Sequence, residues 1–394
     1  MRILLWHGWL LDGSGSNVYT AKVAKIWKRQ GHDVVIVCQE PHPGRFRFEA
    51  LEVEDVRPAP EDGGRVAIVR PDIGSLLPVF VVDEYEGFDV KPFVDLTDDE
   101  LGAYLERNVR ELRRVTKAWR PDVVIAGHAV PGPVVARRAL GEGAYIAKVH
   151  GSDLVYAVRL QDRYAELARE GLAGARAVAG TSYDVLQRTR AITGLPAERF
   201  RLVPPGVDVD RWRPLPRAEA LKGVVSRLGD DPDVSRGRPA NLGDDVRAAL
   251  DDRDVERLNA LSRTYDQAVP DPGAASRLAA LSGDGRPLVA YFGKLIPQKG
   301  VDRLVEAAVL LGDRVRAIVV GFGQFREWLT ALVLALDAGD VDAHAWLREA
   351  SPMQLELEPD EVKAAAGLAG RLTFTGRLDH RYAPEAIAAV DALA

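Results

Sequence analysis

The sequence predicts an α/β protein built from two doubly wound, parallel-sheet domains. Three observations lead there. Short apolar runs alternate with helical-period segments from residue 2 to about 203, and the alternation restarts at 286. The 394-residue length exceeds one ordinary domain. Apolar residues make up 47% and charged residues 28%, which suits a packed core and excludes global disorder.

The net charge of -6 argues against a dedicated nucleic-acid binder. No uncharged stretch reaches membrane-spanning length, and the opening MRILLWHGW is too short for a secretory signal. The single cysteine, Cys38, lies in an apolar run and closes no disulfide within the chain, so its expected role is packing in a reducing cytoplasm. Seven scattered histidines and one cysteine supply no metal-ligand cluster.

Arg2 to Trp6 reads as a first strand, and His7 to Asn17 as a turn-rich stretch containing Gly8, Gly13 and Gly15. Val18 to Gln30 has helical spacing with Gly31 as its stop, and Asp33 to Cys38 is a second strand. This strand–glycine loop–helix opening outlines a phosphate-binding topology, but only Gly13-Ser14-Gly15 stands where a full G-x-G-x-x-G would. The glycines serve either the turn alone or a direct ligand contact. Trp6, Trp9 and Tyr19 beside this loop suit stacking on a ligand or core packing. Residues 41–95 are irregular, with strands expected near 66–69 and 77–82.

Thr97 to Trp119 reads as one helix with a Thr97/Glu100 capping box. Arg107, Arg110, Arg113, Arg114 and Lys117 make its late face basic, either a solvated face or a peripheral membrane contact over 107–120. The next two strands, 122–126 and 145–149, each run into a histidine, His128 and His150. Histidines ending successive parallel strands converge on one crevice, which favours His150 as a ligand contact over a purely structural residue.

Helix to Glu170, strand 175–179, helix 182–193 and strand 200–203 continue the rhythm until Pro204-Pro205-Gly206. The stiff Pro-Pro-Gly marks a boundary, giving an N-terminal domain over 1–212, a polar linker or insertion over 213–285, and a C-terminal domain over 286–394. In the last, Leu288 to Phe292 reads as a strand broken by Gly293, and Val301 opens an amphipathic helix. Lys294 and Lys299 then sit on the rim of an open sheet, as a diphosphate cradle or as solvated loop charges. Strand 316–320 leads into Gly321-Phe-Gly323, and strand 372–375 ends at Gly376.

His150-Gly-Ser-Asp153, Pro204-Pro-Gly-Val-Asp208, Gly293-Lys-Leu-x-x-x-Lys-Gly300, Gly321-x-Gly323 and Phe374-x-Gly-x-Leu378 stand in this order along nearly the whole chain. Together they resemble the retaining GT-B glycosyltransferases of family 4, the large group containing glycogen-synthase-like enzymes and mannosyltransferases. The resemblance implies two Rossmann-like domains facing across a cleft, with a UDP- or GDP-sugar as substrate and no cofactor. It implies that Lys294 and Lys299 hold the diphosphate, Lys294 standing where the family usually has arginine. It places His150 at the donor sugar and Gly13, Ser14 and Gly15 over the donor, with Gly293, Gly321 and Gly323 close to the nucleotide. The family's Glu-x7-Glu motif does not appear before Ala394, so the second domain is expected to be incomplete.

The implied reaction moves a sugar to an acceptor hydroxyl of a glycan, lipid or small molecule, with retention and without a metal, in carbohydrate biosynthesis. Asp208-Val-Asp210 and Asp340-Val-Asp342 imitate a metal motif and are read as surface charge. Two rival readings stay open. Another GT-B enzyme, a sugar-nucleotide epimerase or an inverting transferase, would use a base such as Asp12 or His128. A sugar-nucleotide-binding protein without catalysis would fit the missing carboxylates. The expected location is the cytoplasm, at the inner membrane face if the basic helix docks.

Overall fold

In this computed structural model, residues 1–52, 55, 64–81, 85 and 87–394 are described. The chain divides into two compact units, Met1–Gly206 and Val207–Ala394. Residues 207–212 go with the second unit, because the Arg211 guanidinium donates to the His380 carbonyl and Trp212 lies edge-on to the His380 ring.

In the first unit, β1 (Arg2–Trp6) leads through the glycine loop into α1 (Gly15–Arg29) and β2 (Asp33–Val37). Every residue of β2 is buried, as expected of a strand covered on both faces. β3 (Glu49–Ala50) and β4 (Val66–Val69) follow, while β5 (Leu76–Val79) and β6 (Asp89–Pro92) form a separate parallel pair. The strand expected over 77–82 is β5; residue 82 itself lies outside the described residues.

α2 (Asp98–Trp119) starts at the expected capping box. Glu100 N–H donates to Thr97 Oγ1 at 3.2 Å, and Thr97 N–H donates to Glu100 Oε2 at 2.7 Å. Then come β7 (Val123–Gly127), α3 (Gly132–Leu140), β8 (Ile146–Val149), α4 (Asp162–Gly174), β9 (Ala177–Gly180), α5 (Tyr183–Thr193) and β10 (Phe200–Leu202).

The eight strands of the main sheet run parallel in the order β10-β9-β8-β7-β1-β2-β4-β3. Side chains alternate across it. Leu4, Trp6, Val35 and Val37 pack with Leu105, Leu112 and Trp119 on one face, and Ile3, Leu5, Val34 and Ile36 with Ala21 and Ala24 on the other. Trp6 and Trp9 belong to this core, at 1% and 5% exposure, and the Trp9 indole donates to Pro78 O at 2.7 Å. Neither is open for sugar stacking. The basic face of α2 is partly engaged within the protein: Arg110 and Arg114 pair with Glu111, and Arg113 donates to the carbonyls of Arg138 and Ala139.

The second unit begins with helices, not with a linker. α6 (Arg217–Gly229), α7 (Leu242–Asp251), α8 (Val255–Leu261) and α9 (Ala274–Ala279) make up about half of 213–285. They precede β11 (Leu288–Lys294), α10 (Val301–Leu311), β12 (Arg316–Phe322), α11 (Arg326–Asp337), α12 (Val341–Ala350), α13 (Pro359–Lys363), β13 (Leu372–Gly376), α14 (Ala383–Ala388) and β14 (Ala392–Leu393). The sheet order is β13-β12-β11-β14, all parallel.

Leu221, Val224 and Leu278 of the expected linker pack on Leu288, Ala290 and Ile318 of the sheet, and Val246 and Leu258 join Leu329 and Leu332 of α11. The Asp- and Arg-rich composition concealed amphipathic helices whose charges face outward or pair. One pair is buried: Arg238 donates through Nε and Nη2 to Glu327, at 2.8 to 3.1 Å, and the Tyr265 hydroxyl donates to the same carboxylate at 2.7 Å. Removing one partner of a buried pair strands the other charge. Arg238→Ala should therefore lower the unfolding free energy of the second unit by roughly 3–5 kcal/mol in urea titrations. A change within error would mean that residues 213–285 are not part of that unit's core.

Candidate functional site

Strand order locates the crevice of the first sheet. From β1 the chain winds outward through β2 to β4 and β3, then returns to β7 on the other side of β1 and winds outward to β10. The carboxyl ends of β1 and β7 flank this switch point, where open α/β sheets bind ligands. His7 follows β1, His128 follows β7 and His150 follows β8. The ring centroids of His128 and His150 lie 4.9 Å apart, those of His7 and His128 6.2 Å.

Each ring is held differently. His7 Nε2 lies 2.9 Å from Asn17 Oδ1 and 3.0 Å from Leu10 O, and Thr20 Oγ1 is 3.3 Å from Nδ1, so α1 fixes this imidazole. His128 takes a left-handed backbone (φ 68°), anchored by its N–H to Lys148 O at 2.7 Å. Its ring is buried against Trp9 and Phe80, and neither nitrogen has a hydrogen-bond partner among the described residues. His150 is half-buried and lies edge-on to Tyr19, 5.6 Å between centroids.

Asp153, wholly buried, joins the two turns. Its carboxylate accepts from Ala129 N–H, after β7, and from Gly151 N–H at 2.9 Å, after β8, and lies 4.0 Å from His128 Nδ1. Burial pushes His7 down to about 4 and holds His128 and His150 well below the ordinary histidine range, while it raises Asp153. The crevice thus presents neutral imidazoles near pH 7, able to exchange hydrogen bonds with a hydroxyl. Burial also lowers Lys148 to about 8; its ammonium donates to Val203 O at 2.8 Å and lies 5.1 Å above the Tyr19 ring.

Gly13, Ser14 and Gly15 form the entry to α1. Ser14 Oγ accepts Asn17 N–H at 3.3 Å, and Gly13 has φ 84° with open space where a Cβ would project. Gly13 is needed for the turn, and among the described residues nothing lies within 4 Å of where a Cβ on Gly15 would stand. Asp12 Oδ1 accepts Gly13 N–H at 2.8 Å, a structural duty for one oxygen of that candidate base.

In the second unit the strand ending at the glycine is two residues longer than expected: β11 runs through Gly293 to Lys294, which pairs in register with Phe322. Lys294 Nζ lies 5.8 Å from the Phe322 ring centre, and the Arg377 guanidinium 4.8 Å from it. Lys299 is exposed on a 3-10 turn, and Gly300 (φ 63°) swings the chain into α10. Gly321 and Gly323 have an internal reason to be glycine. A Cβ on Gly321 would strike Gly293 O, and one on Gly323 would lie 2.5 Å from Leu295 O.

Of the Asp-x-Asp pairs, Asp340 caps α12 by accepting Ala343 N–H at 2.8 Å, and Asp208 and Asp210 are exposed. His7, Asp153 and Lys148 are contributors to the first crevice that sequence reasoning did not nominate. His7 had the same signal as His128 and His150, a histidine directly after a strand.

Residues 14–206 match a glycosyl transferase 4-like domain. The matched residues include Ser14 and Gly15 of the α1 entry, His128 and His150. No curated protein matches the chain. Among solved structures, Anabaena Alr3699/HepE in complex with UDP and glucose aligns over 100% of this chain and 73% of its own, at 14% identity and TM-score 0.51. The same protein with UDP-glucose aligns over the same shares at 13% identity and TM-score 0.50. The likeness is one of fold: the chain has the GT-B type of architecture, with two Rossmann-like parallel-sheet units. No described helix is long and apolar enough to cross a membrane.

A histidine kept neutral by burial must charge when the chain unfolds, so its contribution to stability is present above about pH 6.5 and is lost as pH falls toward 4. His7 alone should make the first unit roughly 2 kcal/mol less stable at pH 5 than at pH 7, with a shallower pH dependence in His7→Gln. Equal urea midpoints at the two pH values would contradict the burial assigned to this ring.

Proposed function

We propose that the chain is a glycosyltransferase that moves a sugar from a nucleoside-diphosphate sugar to an acceptor hydroxyl. The observation carrying this reading is the match of residues 14–206 to a glycosyl transferase 4-like domain. The GT-B architecture supports it, and the solved relative's complexes with UDP and UDP-glucose support a UDP-sugar as the donor.

In this reading the second unit binds the donor. The barrier is departure of the diphosphate from an oxocarbenium-like carbon, and the developing negative charge must be met by fixed positive groups. Lys294 at the end of β11, Lys299 on the following turn and the amino terminus of α10 are such groups, which frees the reaction from a divalent metal. Gly293, Gly321 and Gly323 bring backbone close to the nucleotide. His150, neutral and half-buried, serves the donor sugar by hydrogen bonding, and Gly13, Ser14 and Gly15 contribute a helix start to donor binding. Tyr19, His128 and Asp12 stand on the acceptor side. The acceptor oxygen attacks on the face from which the diphosphate departs, and the departing phosphate oxygen takes the acceptor's proton, so the product keeps the donor's anomeric configuration.

One observation favours a second reading, inversion: among the described residues the ring nitrogens of His128 have no hydrogen-bond partner, and Asp153 lies 4.0 Å from Nδ1, which leaves a nitrogen free to take an acceptor's proton. The anomeric configuration of the product separates the two.

Lys299→Ala should abolish calorimetric binding of UDP with the melting temperature unchanged, because the side chain is exposed on a turn. Unchanged UDP affinity would refute the diphosphate role. His150→Ala should slow transfer more than it weakens nucleotide binding; an equal loss in both would remove it from the sugar side. Transfer should also persist in EDTA, and a rate abolished by chelation and restored by magnesium would end the metal-free account.

A further inference from the structure

The helices that replace the expected linker do more than complete the second core. Between α8 and α9 the chain crosses the carboxyl end of β13, where Pro270 bridges to Gly376 in antiparallel fashion. Asp271 N–H donates to Thr375 O at 2.8 Å and Arg377 N–H to Val269 O at 3.4 Å. This crossing makes one wall of a hollow at the ends of β12 and β13, lined by Tyr265, Asp271, Gly321, Gly323, Arg326 and Gly376. The backbone groups of Val269, Asp271, Thr375 and Arg377 that make this crossing are engaged with one another, which brings the Asp271 side chain to the edge of the hollow. A Cβ on Gly376 would lie 2.6 Å from Asp271 N and Oδ1, so only glycine lets the aspartate sit there.

Two of those side chains carry full charges and are almost entirely buried: Asp271 is 5% exposed and Arg326 6%. Both are fixed. Asp271 Oδ2 accepts from Arg277 Nη2 at 3.1 Å and lies 3.5 Å from Arg326 Nη2; among the described residues Oδ1 accepts no hydrogen bond. Arg326 lies over the Phe374 ring, 3.7 Å from its centre, and donates from Nη1 to Thr330 Oγ1 at 2.5 Å. An acceptor and a donor therefore stand side by side in a hollow otherwise lined by glycines, Tyr265, Gln267, Val269 and Phe322, a rigid pair that suits an edge of fixed polarity.

The sheet register sets the hollow beside the proposed phosphate groups. Lys294 on β11 pairs with Phe322 on β12, and Val320 on β12 pairs with Gly376 on β13. Two strand spacings, about 10 Å, separate the lysine's strand from the far wall of the hollow, a gap for the ribose of a bound nucleotide.

We propose that Asp271 and Arg326 read the nucleobase of the donor by its lactam edge, Asp271 accepting the ring N–H and Arg326 donating to the adjacent carbonyl. This rests on the UDP-sugar reading given above. Uracil offers N3–H beside O4. Cytosine, the same ring on the same ribose, offers a bare N3 beside an amino group, which is the reverse order. In the glycosidic rotamer that sets uracil's N3–H at Asp271, cytosine sets a lone pair against the carboxylate and an amino group against the guanidinium. Buried polar groups left in such opposition discriminate strongly.

The test is calorimetry on the full chain with UDP, CDP and N3-methyl-UDP, in which the ring N–H is replaced by a methyl group. UDP should bind at least tenfold more tightly than either of the others. In Asp271→Asn the UDP:CDP ratio should fall to threefold or less, because a neutral amide turns to offer its carbonyl to uracil or its NH2 to cytosine. Native protein that binds all three equally, with UDP binding still lost in Lys299→Ala, overturns the base-reading role and leaves the donor site standing. Absence of binding to any nucleotide overturns the donor reading and this inference together. The N3-methyl-UDP comparison needs only native protein, so the inference stays refutable even if Asp271→Asn fails to fold.

Discussion

Parallel pairing is the constraint on which the rest of the structure depends. A parallel strand cannot turn straight back into its neighbour; the chain must leave its carboxyl end, cross through a helix and return. The main sheet of the first unit and the sheet of the second are both parallel throughout, so the departing turns gather along one edge of each. Side chains in those turns stand just beyond the strand ends, some buried there, as His7 and His128 are, and others partly or fully exposed, as His150 and Lys299 are. His7, His128 and His150 in one unit and Lys294, Gly321 to Gly323 and Gly376 in the other are all residues at or just past the end of a strand. The chemistry is concentrated there by topology, without any sequence-local clustering.

Within that frame, burial sets the character of each site. In the first unit three imidazoles are packed among aromatic rings and kept neutral, with one buried carboxylate stapling two of their turns together. In the second, cations dominate: Lys294 and Arg377 flank one phenylalanine ring, and Arg326 lies flat on another. A neutral, hydrogen-bonding crevice suits hydroxyl groups, and a cationic strand end suits a diphosphate.

What the sequence made legible was local and periodic. The Thr97/Glu100 box sits within four residues and was read to the atom, and histidines following apolar runs were recognisable from position alone. Long-range pairing was not legible. Arg238 and Glu327 are 89 positions apart, and nothing in an Asp- and Arg-rich segment reveals that one arginine meets a fully buried glutamate. Without that pairing, 213–285 read as solvated linker. Gly321 and Gly323 illustrate a subtler gap: their pattern suggested ligand approach, whereas the backbone of Gly293 and Leu295 already demands their missing side chains. Trp9 lay beside the glycine loop in sequence, yet its indole is spent on Pro78, an element 69 positions away.

In the donor-binding reading the strand ends of the second unit hold the nucleotide. Hydrogen–deuterium exchange of the full chain with and without UDP locates it. Slowed exchange is expected to be confined, within this unit, to residues 293–303, 321–327 and the 269–271/375–377 crossing. Protection that leaves these segments unchanged while UDP is demonstrably bound would contradict that reading.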